Sequence, residues 1–297
     1  MAGVNATLEL TYESLPAWAQ GEVPFPDYYE LLMSPIMPFG VAAVYLALVM
    51  ALNPSAAKVR LSRAEITRKG GKSSGSSSGS LMTAVVVLHN LILCIYSAWS
   101  MIGAYTMLRD SFVERPFWDA VCDPYGERWV DRGLFKYSYI FYLSKYYELI
   151  DTAIILIKGR RCSFLQAYHH AGVIPVMWIN TLMGSSPVWI FVLFNSTVHT
   201  VMYFYYMFTA LGVYIPGKQY LTRLQITQFL VGTSLALSYI AVPKCLTPTQ
   251  KIAVWGDVLY LLPLIYLFFD FARRTYGAHG NKALSVEALA QAKIKAQ

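Results

Sequence analysis

Charge is scarce in this chain. Only 14% of its 297 residues are Asp, Glu, Lys or Arg, where a soluble domain carries about a quarter. Hydrophobic residues make up 56%, and the mean hydropathy is +0.42. That excludes an ordinary water-soluble domain. The first 32 residues contain no Lys or Arg and no short apolar core, so no signal peptide is expected. Cysteines number four and histidines five. Neither Cys94 nor Cys162 has a His–acid pair beside it that would argue for a thiolate nucleophile, so both are expected to be free.

The apolar residues lie in blocks rather than at amphipathic spacing. Seven stretches approach the length of a membrane span: 34–52, 81–108, 133–157, 164–183, 187–211, 221–243 and 252–272. The third and seventh are less clean, because they carry Lys136, Lys145, Glu148, Asp151, Asp257 and Asp270. The expected fold class is all-α: a polytopic membrane protein of seven transmembrane helices.

The net charge of +7 is no nucleic-acid footprint, because the cations are segregated. Lys58, Arg60, Arg63, Arg68, Lys69 and Lys72 follow the first block. Lys158, Arg160 and Arg161 follow the third, Lys218 and Arg223 lie around the fifth connection, and five more cations follow the seventh. The N-terminal segment, with five acids, and the second connection are acidic, and NTLMGSSP is uncharged. The bias of positive charge toward the cytosol places the N-terminus in the lumen and the C-terminus in the cytosol. An odd number of spans agrees.

This orientation places Asn5, in an Asn-Ala-Thr sequon, on the lumenal side as a glycosylation candidate. Cys122 and Cys245 fall in two lumenal connections, where a disulfide between them is expected. Residues 1–32 are expected to form a poorly ordered lumenal segment, 33–276 the membrane domain and 277–297 a cytosolic tail. Within 53–80, GGKSSGSSSGS reads as a flexible linker. The final KIKAQ resembles a dilysine retrieval signal of the endoplasmic reticulum.

Ionisable groups at membrane depth are costly, which makes them site candidates. In KYYELIDT, Lys145, Glu148, Asp151 and Thr152 share one helical face. Gln166, His169 and His170 follow a short basic turn, so the two helices are antiparallel neighbours. At 1.5 Å per residue, Asp151 and His169 lie roughly 10 Å and 9 Å from the same surface. His89 is expected at roughly 12 Å and His199 at roughly 18 Å. Asn195, Tyr203 and Tyr206 share a stripe with His199, and Gln225 and Gln228 open the sixth block. The expected result is a cluster in the cytosolic half, with the acids opposite His169 and His170. Such a chamber can do acid–base or nucleophilic work.

Plainer readings exist for each part. A lone His with Asn or Tyr is often interhelical glue, Lys145–Glu148 can be a structural ion pair, and the basic residues can be topology signals only. A di-iron centre needs more histidines than this chain offers; a single zinc stays open, and no metal is expected. A seven-helix receptor or a transporter would also have a buried polar cavity.

Four ordered boxes resemble the ELO family of very-long-chain fatty acid elongases: KYYELIDT, QAYHH, NSTVHTVMYFYY and LTRLQITQF. The similarity runs from about His89 to Tyr276. It implies a multi-pass protein of the endoplasmic reticulum that condenses acyl-CoA with malonyl-CoA. The products are 3-oxoacyl-CoA, carbon dioxide and CoA, and no cofactor beyond the two thioesters is implied. The resemblance further implies that His169 carries the acyl group as an acyl-imidazole, with His199 close to the same carbon. His170 and His89 would assist decarboxylation or bind the thioester oxygen, Glu148 and Asp151 would orient imidazoles, and Lys145 would balance them.

Gln166, Asn195, Tyr203, Tyr206, Gln225 and Gln228 would line the substrate path, and Lys158, Arg160 and Arg161 would meet the CoA phosphates. Gln166 stands where the commoner box has His; Gln at that place resembles elongases of polyunsaturated chains, which implies C18 or C20 polyunsaturated substrates. Expected partners are membrane lipid and the reductases and dehydratase of the elongation cycle. A homo-oligomer is compatible with this reading, and nucleic acid is not expected.

Overall fold

The computed structural model describes residues 12–55 and 77–277, except Pro16, Glu22 and Tyr125. Asn5, linker residues 56–76, His279 and the dilysine-like end lie outside the described residues. Among the described residues the secondary structure is helical throughout. The principal helices are α1 (Ile36–Leu52), α2 (Ser77–Glu114), α3 (Leu134–Tyr147), α4 (Leu149–Ile157), α5 (Phe164–Leu182), α6 (Trp189–Ala210), α7 (Lys218–Ala241) and α8 (Pro248–Tyr276). Helix α2 already begins at Ser77, so the last residues of the expected linker 53–80 are helical.

Two helix starts follow from capping chemistry. Ser163 Oγ accepts from Gln166 N at 3.1 Å to open α5. Thr247 and Gln250 form a reciprocal capping box at α8, with Pro248 in the first turn, where its missing N–H costs nothing.

Among the described residues, four helices are individually long and apolar enough to cross a membrane: α2, α6 with its leading turn, α7 and α8. A fifth candidate is α1 joined, at a bend of 70°, to Pro26–Met33. The expected third span is instead two helices. It breaks at Glu148, where Asp151 N bonds to Glu148 O at 3.1 Å and tightens the turn. Helix α5 is long enough, but Gln166, His169, His170 and Asn180 make it less apolar than the others.

The packing order closes a ring. Helix α2 lies against α6, α6 against α7, α7 against α8, α8 against α5, α5 against α3, and α3 against α2. Helix α1 packs outside this ring on α5. At one end a Cys122–Cys245 disulfide ties the α2–α3 connection to the α7–α8 connection. Arg128, buried at the same end, donates to Val121 O at 3.4 Å and Ser186 Oγ at 3.3 Å. At the other end, the Asn53 amide brackets the backbone of Cys162 with bonds of 3.0 and 2.9 Å.

The N-terminal segment departs from expectation. Residues 12–33 are folded onto the bundle, with Ala19, Val23, Tyr29 and Met33 in the main core. Tyr142 OH donates to Leu32 O at 2.7 Å, and Trp178 Nε1 donates to Met33 O at 2.8 Å. Two buried polar tips thus pin the end of this segment, and the burial of Ala19, Val23 and Tyr29 holds the part before it.

Candidate active site

The polar residues of α2, α3, α4, α5 and α6 meet inside the ring. Asn195, His199 and Tyr203 recur every four residues, so they present one face of α6. Lys145 and Glu148 approach that face from the end of α3 and the helix break.

Four side chains form a closed circuit. Lys145 Nζ donates to Glu148 Oε1 at 2.6 Å and to Asn195 Oδ1 at 3.0 Å. With its oxygen thus occupied, Asn195 turns its Nδ2–H toward His199 Nε2, 3.1 Å away. His199 then carries its proton on Nδ1, which lies 3.6 Å from Glu148 Oε1. Lys145 and Glu148 are each 1% exposed, and Lys145 lies 3.9 Å from the Phe141 ring centroid. A fully buried pair of this kind is stable only while both partners are present. Glu148 Oε2 makes no bond and is buried.

Asp151 anchors a second group. One carboxylate oxygen lies 2.9 Å from His89 Nε2, and the other accepts from Tyr203 OH at 2.8 Å. His89 stacks on Tyr147 at 5.4 Å between centroids, and its Nδ1 is buried without a partner. A third chain runs from Tyr45 OH to Thr152 Oγ1 (3.0 Å), to Gln166 Nε2 (3.4 Å) and to His170 Nε2 (2.7 Å).

The hydrogen bonds of the acids correct one expectation. Neither acid hydrogen-bonds His169 or His170: Asp151 bonds His89 and Tyr203, and Glu148 bonds Lys145, with His199 beside it, while both acids stay within electrostatic reach of His170. His170 turns with Gln166, four residues earlier on its face. His169, 100° further round, turns to α8 and meets Tyr260, whose hydroxyl is 2.9 Å from Nδ1.

His169 also borders a small, partly open cavity of about 40 Å³. Phe141, Val173, Phe194, Phe229, Leu261 and Leu264 make its wall apolar, and polar groups are supplied by His169, Tyr260, Asn195 and Gln228. Gln228 Oε1 is buried there without a partner. The arrangement joins one imidazole to an oily compartment and places other imidazoles and carboxylates behind it.

Other expected residues lie apart. Gln225 donates to Met202 Sδ at 3.4 Å. Tyr206 is one turn beyond Tyr203 and 37% exposed. Lys158, Arg160 and Arg161 are exposed at the turn before α5. Slight burial, and then the charge of Arg160, pull the Lys158 ammonium below the usual lysine pKa. Among the described residues, no three His, Cys, Asp or Glu side chains are arranged to hold a metal. Tyr45 and Tyr260 were invisible to motif reading, because nothing marks two tyrosines among 22.

Comparison with known proteins identifies the family. Residues 30–284 match the ELO family, described as the GNS1/SUR4 family. The fatty acid elongase sre1 of Dictyostelium discoideum is 31% identical over 272 residues, 89% of this chain and 90% of that one. Fatty acid elongase A of the same organism is 34% identical over 154 residues, 52% of this chain and about half (55%) of that protein. Fatty acid elongase 2 of Trypanosoma cruzi is 28% identical over 225 residues, covering 72% and 80%. On the strength of the family match across most of its length, the chain belongs to the ELO family.

Proposed function

We propose that the protein is the condensing acyltransferase of fatty-acid elongation. It joins acyl-CoA to malonyl-CoA and yields a 3-oxoacyl-CoA two carbons longer. The observation that carries this reading is the position of His169, which borders an apolar cavity on one side and packs against the buried His170 imidazole on the other. Family membership supports it.

Both steps balance with these residues. His169 Nε2 attacks the acyl thioester carbon, the N–C bond forms and the C–S bond breaks. CoA leaves as thiolate and takes a proton from solvent. Malonyl-CoA then loses carbon dioxide, and the electron pair stays on its α-carbon as an enolate. That carbon attacks the acyl-imidazole, the C–N bond breaks and its pair returns to Nε2. No cofactor is required by this chemistry.

The bonding pattern favours His169 over His199 as carrier, because His199 Nε2 is bonded to Asn195 while its Nδ1 faces Glu148 at 3.6 Å. His89 and His170, each with an unpartnered buried Nδ1, meet the malonyl carboxylate or the thioester oxygen in this reading. Asp151 fixes His89, and Glu148 with Lys145 fixes His199. Gln228 and Asn195 contact the substrate near the cavity, while Lys158, Arg160 and Arg161 bind CoA phosphates at the mouth.

The finer features belong to the same reading. Seven spans, with the N-terminus and Asn5 lumenal, place the disulfide in the lumen and the basic turn in the cytosol. An endoplasmic reticulum location follows, with the other elongation-cycle enzymes as partners. Gln166 in the histidine box favours polyunsaturated C18 or C20 chains. The test is direct: microsomes containing the protein, given labelled malonyl-CoA and a panel of acyl-CoAs, form labelled 3-oxoacyl products, most from polyunsaturated chains. No product from any acyl-CoA contradicts the proposal.

A further inference from the structure

Tyr260 of α8 is held by α5 from three sides. Its ring stacks on Tyr168 at 5.7 Å and 14°, and Tyr168 OH donates to the Tyr260 carbonyl at 3.1 Å. It also lies against Gly172, where an added Cβ would come within 2.5 Å of the ring. Only a hydrogen fits there, so Gly172 lets the tyrosine approach the helix backbone. The ring is 8% exposed and borders the cavity.

The hydroxyl lies 2.9 Å from His169 Nδ1 and 3.1 Å from the His169 carbonyl oxygen. A phenol has one hydrogen to donate. If that hydrogen went to Nδ1, the carbonyl contact would hold no proton. If it goes to the carbonyl, the phenol oxygen accepts from Nδ1–H and both contacts are satisfied. Nε2 then keeps the lone pair. Among the described histidines, His169 is the one whose Nε2 makes no hydrogen bond. Nε2 of His89, His170 and His199 is engaged by Asp151, Gln166 and Asn195 respectively.

We propose that Tyr260 is a positioning residue that fixes the Nδ1–H tautomer of His169 and so presents Nε2 to the acyl thioester; this rests on the acyl-imidazole reading above. During acylation the ring gains a bond at Nε2 and a positive charge, and Nδ1–H stays hydrogen-bonded to the phenol oxygen. When the enolate takes the acyl group, the electron pair returns to Nε2 and the same tautomer is restored. Tyr260 touches no reacting atom. It acts through the imidazole.

The test uses the full-length protein in detergent or microsomes, as wild type, Tyr260→Phe and Tyr260→Leu. Each is mixed with acyl-CoA alone. The first-turnover release of CoA and the acyl mass on the peptide containing His169 are followed, with matched protein levels. Tyr260→Phe is expected to slow acylation about 10- to 100-fold, by analogy with removing the hydrogen-bond partner behind a metal-bound imidazole. The half-saturating acyl-CoA concentration is expected to stay the same. Tyr260→Leu should lose at least as much.

Wild-type acylation by Tyr260→Phe, with a loss confined to Tyr260→Leu, overturns the proposal in favour of ring packing. A raised half-saturating concentration with an unchanged maximal rate overturns it as well. Failure of the underlying reading looks different: wild type condenses but never carries acyl on His169, and both ideas then fall together.

Discussion

Two regions of the bundle bury carboxylates, and they are built differently. In the layer between α2, α4 and α6, Asp151 uses both oxygens on His89 and Tyr203, and Glu148 pairs with Lys145. At the α5–α8 seam, Asp257 is also fully buried. Its hydrogen bond is one from Asn180 Nδ2 at 2.6 Å, and its second oxygen has no partner. The first region joins several helices, borders the cavity through Asn195, and includes a cation. The second is a single amide–acid pair away from the cavity lining. Burial of an acid therefore does not define a site; connection to a reactive group and an open space does.

Substitutions can break this contrast. The largest effect is expected from His169→Ala: condensation falls about 10³-fold or more while protein abundance is unchanged, measured by labelled 3-oxoacyl product. Next is Lys145→Met, which strands Glu148 as a buried charge. The expected cost is about 3–5 kcal/mol of stability, read as early thermal unfolding or poor recovery of folded protein.

Asp151→Asn comes third. It keeps the shape but replaces a carboxylate that accepts from His89 and Tyr203 with an amide that has one acceptor oxygen. Activity should fall about 10- to 100-fold with little change in stability. Asp257→Asn should do least, with activity within about twofold of wild type, because the acceptor for Asn180 is retained and no catalytic group is touched. If Asp257→Asn lost as much activity as Asp151→Asn, the contrast between the two regions would fail.

The sequence made some of this architecture legible and hid the rest for physical reasons. Apolar blocks located the helices, because burying backbone in lipid or in a bundle needs long uncharged runs. The spacing of Lys145, Glu148 and Asp151 placed them on one face, because helical period is a local property. The break at Glu148 was not legible: nothing in KYYELIDT interrupts a helix by propensity. The partners of the acids were hidden too, since those depend on how each helix is rotated against its neighbours. His169 and His170 are adjacent in the chain, yet one faces α8 and the other Gln166. Residues 1–32 read as a loose lumenal segment, yet Ala19, Val23 and Tyr29 are buried in the core and Leu32 O accepts from Tyr142, contacts that only the assembled bundle reveals.

The central claim is that an imidazole, rather than a thiol, carries the acyl chain. Its most direct measurement is to incubate the protein with acyl-CoA in the absence of malonyl-CoA, quench it and map the acyl mass by peptide. The account predicts a stoichiometric adduct on His169 that disappears when malonyl-CoA is added and 3-oxoacyl-CoA forms. An adduct on Cys94 or Cys162, or steady condensation with no adduct on any residue, would contradict it.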